Sequence, residues 1–151
     1  MSLSEYITPE HIKTPLTATT RDDAIRELIE LIAPRLTDSE KAYKAVLERE
    51  KIMTTGVGNG LAIPHCKHES CPDFAIALGV HPTGVDFRSV DNKEARIIVL
   101  LVGPENSPAQ HIKLLSRISR LLNNKEFREK ILNASSAQEI AELIDEYDNT
   151  L

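Results

Sequence analysis

One stretch of the sequence combines a histidine with local constraints that could aim it at a substrate. Residues 54–67 read T-T-G-V-G-N-G-L-A-I-P-H-C-K, with three glycines alternating before a short apolar run. Because glycine permits backbone angles that other residues avoid, the three glycines predict a shaped loop. Residues 61–63 are predicted to form a short buried strand, which Pro64 ends because proline donates no backbone hydrogen bond. We therefore expect His65 just beyond a strand end, rigidly aimed, with backbone amides of the glycine loop nearby.

A neutral imidazole in such a place could act as a nucleophile. Free histidine has a pKa near ~6.5, so His65 would be mostly neutral at pH 7 and could attack an electrophile without an activating base. Accepting a phosphoryl group on one ring nitrogen requires an acceptor that holds the other, and a loop carbonyl could supply it. Since no acid–base pair for hydrolysis is evident, these residues favour a protein that holds a phosphoryl group and passes it on.

Three sets of donors could bind the dianionic phosphoryl group. The amides of the glycine loop are one set. His111 is the second, because it is expected in the first turn of a helix, where the dipole favours an anion by roughly 0.3–1 kcal/mol. Arg49, at the end of an earlier helix, is the third, and a charged donor contributes about 1.5–3 kcal/mol. On spacing alone, ordinary roles stay open: a capping or core histidine at 65, a helical histidine at 111 and a solvated helix-end arginine at 49.

Helices and strands must position these residues. Capping signals and apolar spacing predict helices at about 21–33, 38–51, 109–123, 125–133 and 137–147. Strands are predicted at 74–80 and, after a turn at 81–84, at 85–87. Residues 96–102 form the strongest predicted strand, which is apolar throughout and is therefore expected to be central. Residues 1–19 are interpreted as a docking segment with apolar side chains spaced to pack.

The cap of the second helix, the buried face of the third and the order of the elements can also be predicted. Thr37 and Glu40 have the spacing of a capping box for the second helix, and Ile112 is expected on the buried face of the third. Helices outnumber strands and lie on both sides of the strand region in sequence. This pattern predicts an α/β sandwich with a small mixed sheet.

Length and composition exclude several classes of protein. A chain of 151 residues is expected to be one domain that buries about 68–70% of its unfolded surface. A net charge of −5, no basic tract and few aromatic residues argue against nucleic acid as the main ligand. The longest apolar run, at 97–102, is far too short to span a membrane, and we expect no signal peptide. Cys66 and Cys71 are expected to be reduced thiols in a cytoplasmic protein.

A zinc-binding module is the main alternative from another class. His65, Cys66, His68 and Cys71 are good zinc ligands that lie close together in sequence. Adjacent ligands such as His65 and Cys66 are poorly spaced for one tetrahedron, and no C-x-x-C pair exists. The glycine loop does not indicate a nucleotide site, because it lacks G-K-[ST] and misses the dinucleotide spacing. We therefore expect no bound metal and no cofactor.

The sequence resembles a known family over nearly its whole length. Glu50, then V-G at 57–58, then L-A-I-P-H-C at 61–66 resemble the active-site signature of enzyme IIA domains of the fructose/mannitol class in the bacterial phosphoenolpyruvate:sugar phosphotransferase system. Further stretches similar to the family are V-D-F-R-S-V-D-N-K, A-R-I-I-V-L-L-V-G-P-E-N and H-I-K-L-L-S-R-I-S-R-L-L. Two positions depart from its commonest form: Cys66 stands where Gly or Ala is more usual, and Asn92 where Gly often follows Asp.

This resemblance implies a fold, an activity and roles for individual residues. The fold would be a three-layer α/β sandwich around a mixed sheet of about five strands. The activity would be that of a phosphotransferase in which His65 accepts the phosphoryl group from phospho-HPr and passes it to a separate enzyme IIB for sugar uptake. His111 matches a second active-site histidine that hydrogen-bonds the phosphoryl group, and Arg49 matches an active-site arginine. The alternative is the nitrogen-regulatory branch, in which the phosphorylation state of the IIA protein is itself the signal read by regulatory targets.

Overall fold

A computed structural model describes residues 2–150 as a mixed sheet with helices on both of its faces. The strands are β1 (Ile12–Lys13), β2 (Gly56–Gly58), β3 (Leu61–Ala62), β4 (His65–Lys67), β5 (Ala75–Val85) and β6 (Ala95–Gly103). The helices are α1 (Arg21–Ile32), α2 (Ser39–Ile52), α3 (Pro108–Leu122), α4 (Lys125–Asn133) and α5 (Ala137–Asp148). Within residues 2–150, no helix has both the length and the hydrophobicity needed to cross a membrane.

Strand β6 lies at the centre of the sheet, as its continuous apolar sequence predicts. Strand β5 runs antiparallel along one side of β6, and β3 and β4 run parallel to β6 along the other side. Strands β1 and β2 complete the order β1-β5-β6-β3-β2, with β4 also paired to β6. The six strands therefore occupy five positions across the sheet, because β3 and β4 follow one another along the same side of β6.

Alternate residues of β6 face two separate cores, because successive side chains of a strand point to opposite faces. One core contains Leu101 together with the apolar faces of α3, α4 and α5. The other contains Leu100 together with those of α1 and α2. Both leucines are fully buried. The architecture is therefore the expected three-layer α/β sandwich.

Polar side chains set where the helices begin. Three helices begin at a residue whose side chain accepts a hydrogen bond from the backbone N–H three residues later: Thr20, Asn124 and Ser136. The prediction for α2 was wrong by one residue. Asp38 accepts the backbone N–H of Lys41, whereas Thr37 donates its hydroxyl to the carbonyl of Ser70. A carboxylate is the better cap here because its charge also interacts favourably with the helix N-terminus.

One predicted turn is part of a strand. Strand β5 continues through residues 81–84 to Val85, with a change of register after Val80. The ring of His81 accepts the backbone N–H groups two and three residues later in the chain. A side chain therefore satisfies donors that the irregular ladder leaves unpaired, so the strand is distorted at these residues but does not end.

The N-terminal segment packs onto the sandwich as predicted. Its buried apolar residues are Leu3, Ile7, Ile12 and Leu16. Asp148, at the end of α5, is 1% exposed and accepts hydrogen bonds from the backbone N–H of Leu3 and from Nε of Arg117 on α3. This buried carboxylate connects the start of the chain to the two helices α3 and α5.

Candidate active site

His65 is the first residue of strand β4. Strand β3 ends before Pro64, so His65 follows a strand end as predicted, but the chain resumes pairing with β6 immediately afterwards and His65 lies opposite Leu101. The carbonyl of Pro64 still accepts the backbone N–H of Leu101 at 3.0 Å. Strand β4 was not predicted, and through it the backbone of His65 is held by the central strand of the sheet.

The ring of His65 is held in one tautomer. Its Nδ1 lies 2.8 Å from the carbonyl oxygen of Ile63. Because a carbonyl can only accept, Nδ1 carries the hydrogen and Nε2 of the neutral ring keeps a free lone pair. The predicted loop carbonyl is therefore that of Ile63, and Nε2 is the nitrogen able to act as a nucleophile.

The three predicted site residues meet at one cavity. A surface cavity of about 580 Å³ is lined by His65, Arg49 and His111, and also by Lys67 and His68. Helix α2 supplies Arg49, strand β4 supplies His65 and Lys67, and the first turn of α3 supplies His111. Two cationic side chains and one carboxylate, Glu48, lie on its walls. This excess of positive charge makes the cavity suitable for an anion, although the chain as a whole carries a net charge of −5.

His111 is buried without a polar partner. Its side chain is 3% exposed, and its ring centre lies 5.7 Å from that of His65 and 6.1 Å from that of Phe74. Among residues 2–150, neither ring nitrogen of His111 has a hydrogen-bond partner. Burying a polar group without a partner costs free energy, and such groups in folded proteins are normally satisfied. The ring is therefore suited to donate a hydrogen bond to a ligand that enters the cavity.

Both histidines are neutral at pH 7. Burial lowers the pKa of His111 to about 4, and the charge that His65 carries when protonated and the positive charge of Lys67 act in the same direction. Burial also lowers the pKa of His65, an effect that its hydrogen bond to Ile63 opposes and that the charge of Arg49 reinforces. A neutral His65 can attack through Nε2, and a neutral His111 can still donate one N–H.

Arg49 has the position expected of a residue that contacts an anion. It lies in the last turn of α2, where one of its N–H groups donates to the carbonyl of Met53 at 2.9 Å. A guanidinium has five N–H donors in a planar fork, so a single backbone contact leaves capacity for a phosphoryl group. Arg49 lines the same cavity as His65, and its positive charge lowers the pKa of that histidine.

The glycine loop is shaped as predicted but lies away from the cavity. Gly58, Asn59 and Gly60 all have positive φ, at 91°, 57° and 76°. Glycine adopts such angles easily, which explains two of the three glycines. The loop connects β2 to the start of β3, four residues before His65, which corresponds to about 13 Å along a strand. None of these residues lines the cavity, so the prediction that their amides bind the phosphoryl group was wrong.

The predicted zinc ligands do not converge. Cys66 lies opposite Val102 and packs into the core beneath α1 and α2, whereas His65 lies on the other face of the sheet. The Nδ1 atom of His68 accepts the backbone N–H of Ser70. No three His, Cys, Asp or Glu side chains of residues 2–150 are placed to hold a metal ion together. Cys66 and Cys71 are buried free thiols.

The exposed apolar side chains at the cavity were not predicted from the sequence. Ile112 is 66% exposed and Ile52 is 82% exposed, and both line the cavity. Ile112 was expected in the core, but α3 instead buries His111, Leu114 and Ile118. The spacing 111, 114, 118 is itself helical, so counting His111 among the buried positions would have identified the correct face.

A comparison with known sequences identifies relatives of the whole chain. The model of the family described as phosphoenolpyruvate-dependent sugar phosphotransferase system, EIIA 2, matches residues 5–147. The chain is 36% identical over 129 residues to a fructose-specific EIIA component of Haloferax volcanii, covering 84% of each chain. It is 33% identical over 141 residues to a nitrogen regulatory protein of Bradyrhizobium diazoefficiens, covering 93% of this chain and 92% of that protein. It is also 33% identical over 150 residues to the fructose-specific EIIABC component of Bacillus subtilis, where it spans only 24% of the relative's length.

Solved structures share the fold. The nitrogen regulatory protein IIA-Ntr of Neisseria meningitidis superposes with a TM-score of 0.88 at 26% identity, covering 94% of this chain and 98% of that one. The IIA protein in a complex of IIA mannitol with phosphorylated IIB mannitol from Escherichia coli superposes with a TM-score of 0.77 at 23% identity, covering 89% of this chain and 94% of that one.

Proposed function

The chain belongs to the EIIA 2 family of the phosphoenolpyruvate-dependent sugar phosphotransferase system, and we propose that His65 accepts the phosphoryl group on Nε2. The observation that carries this proposal is the pair of neutral histidines in one cavity. The Ile63 carbonyl holds Nδ1 of His65 and leaves Nε2 free, and His111 lies 5.7 Å away with both ring nitrogens unpartnered in residues 2–150.

In the proposed transfer, the lone pair of His65 Nε2 attacks the phosphorus of a phosphohistidine on the donor protein. The new N–P bond forms as the donor's N–P bond breaks, and the donor nitrogen keeps the electron pair of the broken bond. Positive charge develops on the His65 ring and is stabilised by the Ile63 carbonyl through the Nδ1 hydrogen. The phosphoryl oxygens receive hydrogen bonds from His111 and Arg49. The same steps in reverse pass the group to an acceptor.

The surroundings of the cavity suit a protein donor. Exposed apolar residues beside a polar cleft are typical of protein–protein contact, and Ile52 and Ile112 are such residues. The proposed donor is an HPr-type phosphocarrier. The proposed acceptor is an enzyme IIB, since a mannitol IIA protein of the same fold forms a complex with phosphorylated IIB. The proposed location of the protein, with these partners, is the cytoplasm.

A regulatory function is the second candidate. The nitrogen regulatory relative is matched over 92% of its length, and IIA-Ntr has a TM-score of 0.88. In this case, phosphorylation of His65 would add negative charge to the cavity and change its affinity for a target protein. The two functions differ in one measurable respect, which is whether the phosphoryl group moves on to an enzyme IIB.

Replacing the proposed nucleophile tests the function. Wild type and His65→Ala are incubated with phosphoenolpyruvate, enzyme I and HPr, and their intact masses are measured at neutral or alkaline pH because phosphohistidine is acid-labile. We expect one added phosphoryl group on wild type and none on His65→Ala. Of the three histidines that line the cavity, only His65 donates its Nδ1 hydrogen to a carbonyl and so keeps the lone pair of Nε2 free, whereas Nδ1 of His68 accepts a hydrogen bond and its Nε2 carries the hydrogen.

A histidine three residues away provides the matched control. His68 also lines the cavity, but its Nδ1 is engaged with Ser70, and His68→Ala is expected to gain the same single phosphoryl group as wild type. Phosphorylation of His65→Ala would contradict the site. Failure to phosphorylate wild type, while a known EIIA protein in the same mixture is modified, would contradict the function.

A further inference from the structure

A chain of hydrogen bonds connects a buried carboxylate to the proposed nucleophile. Glu50 lies in the last turn of α2, beside Arg49, and is 2% exposed. One of its oxygens accepts the backbone N–H of Thr55 at 2.5 Å, and the other accepts the hydroxyl of Thr55. The carboxylate of Glu50 therefore fixes the backbone and the side chain of one residue in the segment that follows α2.

Thr55 transmits this constraint to the active-site strand. Its carbonyl accepts the backbone N–H of Ile63 at 3.1 Å. The carbonyl of Ile63 in turn accepts Nδ1–H of His65 at 2.8 Å. Thr55 precedes β2, and Ile63 lies in the break between β3 and β4. Since both residues lie outside the strands, Glu50 supplies a constraint that regular strand pairing does not provide.

The electrostatic setting of Glu50 differs from that of another buried carboxylate. Asp148 is paired with the guanidinium of Arg117 at 2.6 Å. Among residues 2–150, no cationic group lies within ion-pair distance of Glu50. A buried charge without an ion-pair partner is costly. Glu50 satisfies the N–H and the hydroxyl of the buried residue Thr55 at the cost of burying its own charge, and the same two hydrogen bonds begin the link to His65.

We propose that Glu50 is a positioning residue for phosphoryl transfer: it holds Thr55, and through Thr55 the peptide of Ile63, so that His65 keeps its hydrogen on Nδ1 and presents Nε2 to the donor. This role rests on the proposed function of His65. The negative charge of Glu50 also raises the pKa of His65 against the effect of burial, so it stabilises the positive charge that the ring gains during transfer.

Two substitutions test this role, and both have a readout that a purely structural residue would not change. Glu50→Gln keeps the size of the side chain but can accept only through one oxygen, and Thr55→Val removes only the hydroxyl. In long-range ¹H–¹⁵N spectra of the unphosphorylated protein at pH 7, wild-type His65 should show a protonated Nδ1 and an unprotonated Nε2. In Glu50→Gln the two nitrogen shifts should move toward each other, and the phosphorylation rate should fall roughly tenfold or more. Thr55→Val should show smaller changes in the same direction.

Asp148→Asn is the matched control, because it alters a carboxylate that is equally buried but belongs to a different part of the fold. It is expected to lower the free energy of unfolding while leaving the His65 nitrogen shifts and the phosphorylation rate unchanged.

Wild-type nitrogen shifts for His65 in Glu50→Gln would overturn the positioning role, and so would equal changes of these shifts in Asp148→Asn. If Glu50→Gln does not fold, the same criteria apply to Thr55→Val. Because the spectra need no phosphodonor, this result is independent of whether His65 is phosphorylated.

Discussion

At the residue scale, the two histidines proposed to form the active site have different proposed tasks, and both tasks require a neutral ring. His65 needs the lone pair of Nε2 for attack, and its other nitrogen is committed to Ile63. His111 needs an N–H to donate, and its burial keeps the ring uncharged. Two imidazolium rings with centres 5.7 Å apart would also repel one another. Attack by Nε2 of His65 and donation by His111 are therefore both favoured by the lowered pKa values of the two rings.

The pKa of His111 predicts how stability depends on pH. Its value of about 4 in the folded protein lies below the ordinary 6.5 of the unfolded chain, so the unfolded state binds more protons between these pH values. The stability that this difference supplies is complete above about pH 6.5 and is lost as the pH falls toward 4. The full contribution of the His111 pKa difference to the free energy of unfolding is about 3 kcal/mol.

Urea unfolding of wild type and His111→Gln at pH 7 and pH 4.5 measures this contribution. We expect wild type to lose roughly 2 kcal/mol more than the variant, and equal losses would contradict the burial of a neutral His111.

The sequence predicted which side chains meet at the site and that a loop carbonyl holds the ring of His65, but not what holds that carbonyl. His65, His111 and Arg49 were expected to act together, and they line one cavity. The part played by Glu50 was not expected beyond its place in the family signature. Its contact with Thr55, and the contact of Thr55 with Ile63, depend on how two irregular segments approach each other. Residue spacing contains no direct information on such contacts.

At the element scale, the two errors with functional consequences concern β4 and α3. Pro64 interrupts the strand, as its missing N–H predicts, but its carbonyl still pairs with Leu101. Strand β6 is long enough to pair on both sides of the break, so pairing resumes at His65. Helix α3 is rotated so that His111 faces inward and Ile112 faces outward. The neighbouring strand β6 determines that pairing resumes at His65. Packing against the sheet determines which of the possible helical faces of α3 is buried.

The outward face of α3 gives a prediction for partner binding. Ile112→Ser removes an exposed apolar side chain at the edge of the cavity, so the KM for the proposed HPr-type donor should rise about tenfold while the maximal rate stays close to that of wild type. The free energy of unfolding should not change, because Ile112 is 66% exposed. Val90→Ser is the matched control, since Val90 is 81% exposed but does not line the cavity. An unchanged KM in Ile112→Ser, or an equal rise in Val90→Ser, would contradict this interpretation.

At the scale of the whole molecule, the fold class was predictable because β6 is apolar on both of its faces. Such a strand must be covered on both sides, and five helices were available to cover it. The order β1-β5-β6-β3-β2 was not predictable, because it depends on pairings between segments far apart in sequence. The sandwich brings α2, β4 and α3 to the same cavity, and no one of these elements contains the complete site.

The most direct test of the central claim identifies the phosphorylated nitrogen in the intact protein. The chain, labelled with ¹⁵N at its five histidines, is phosphorylated with phosphoenolpyruvate, enzyme I and HPr and studied by NMR at alkaline pH. Coupling between phosphorus and nitrogen is expected at Nε2 of His65, because Nδ1 is held by the Ile63 carbonyl. Coupling at Nδ1 of His65, or at any other histidine, would contradict the account.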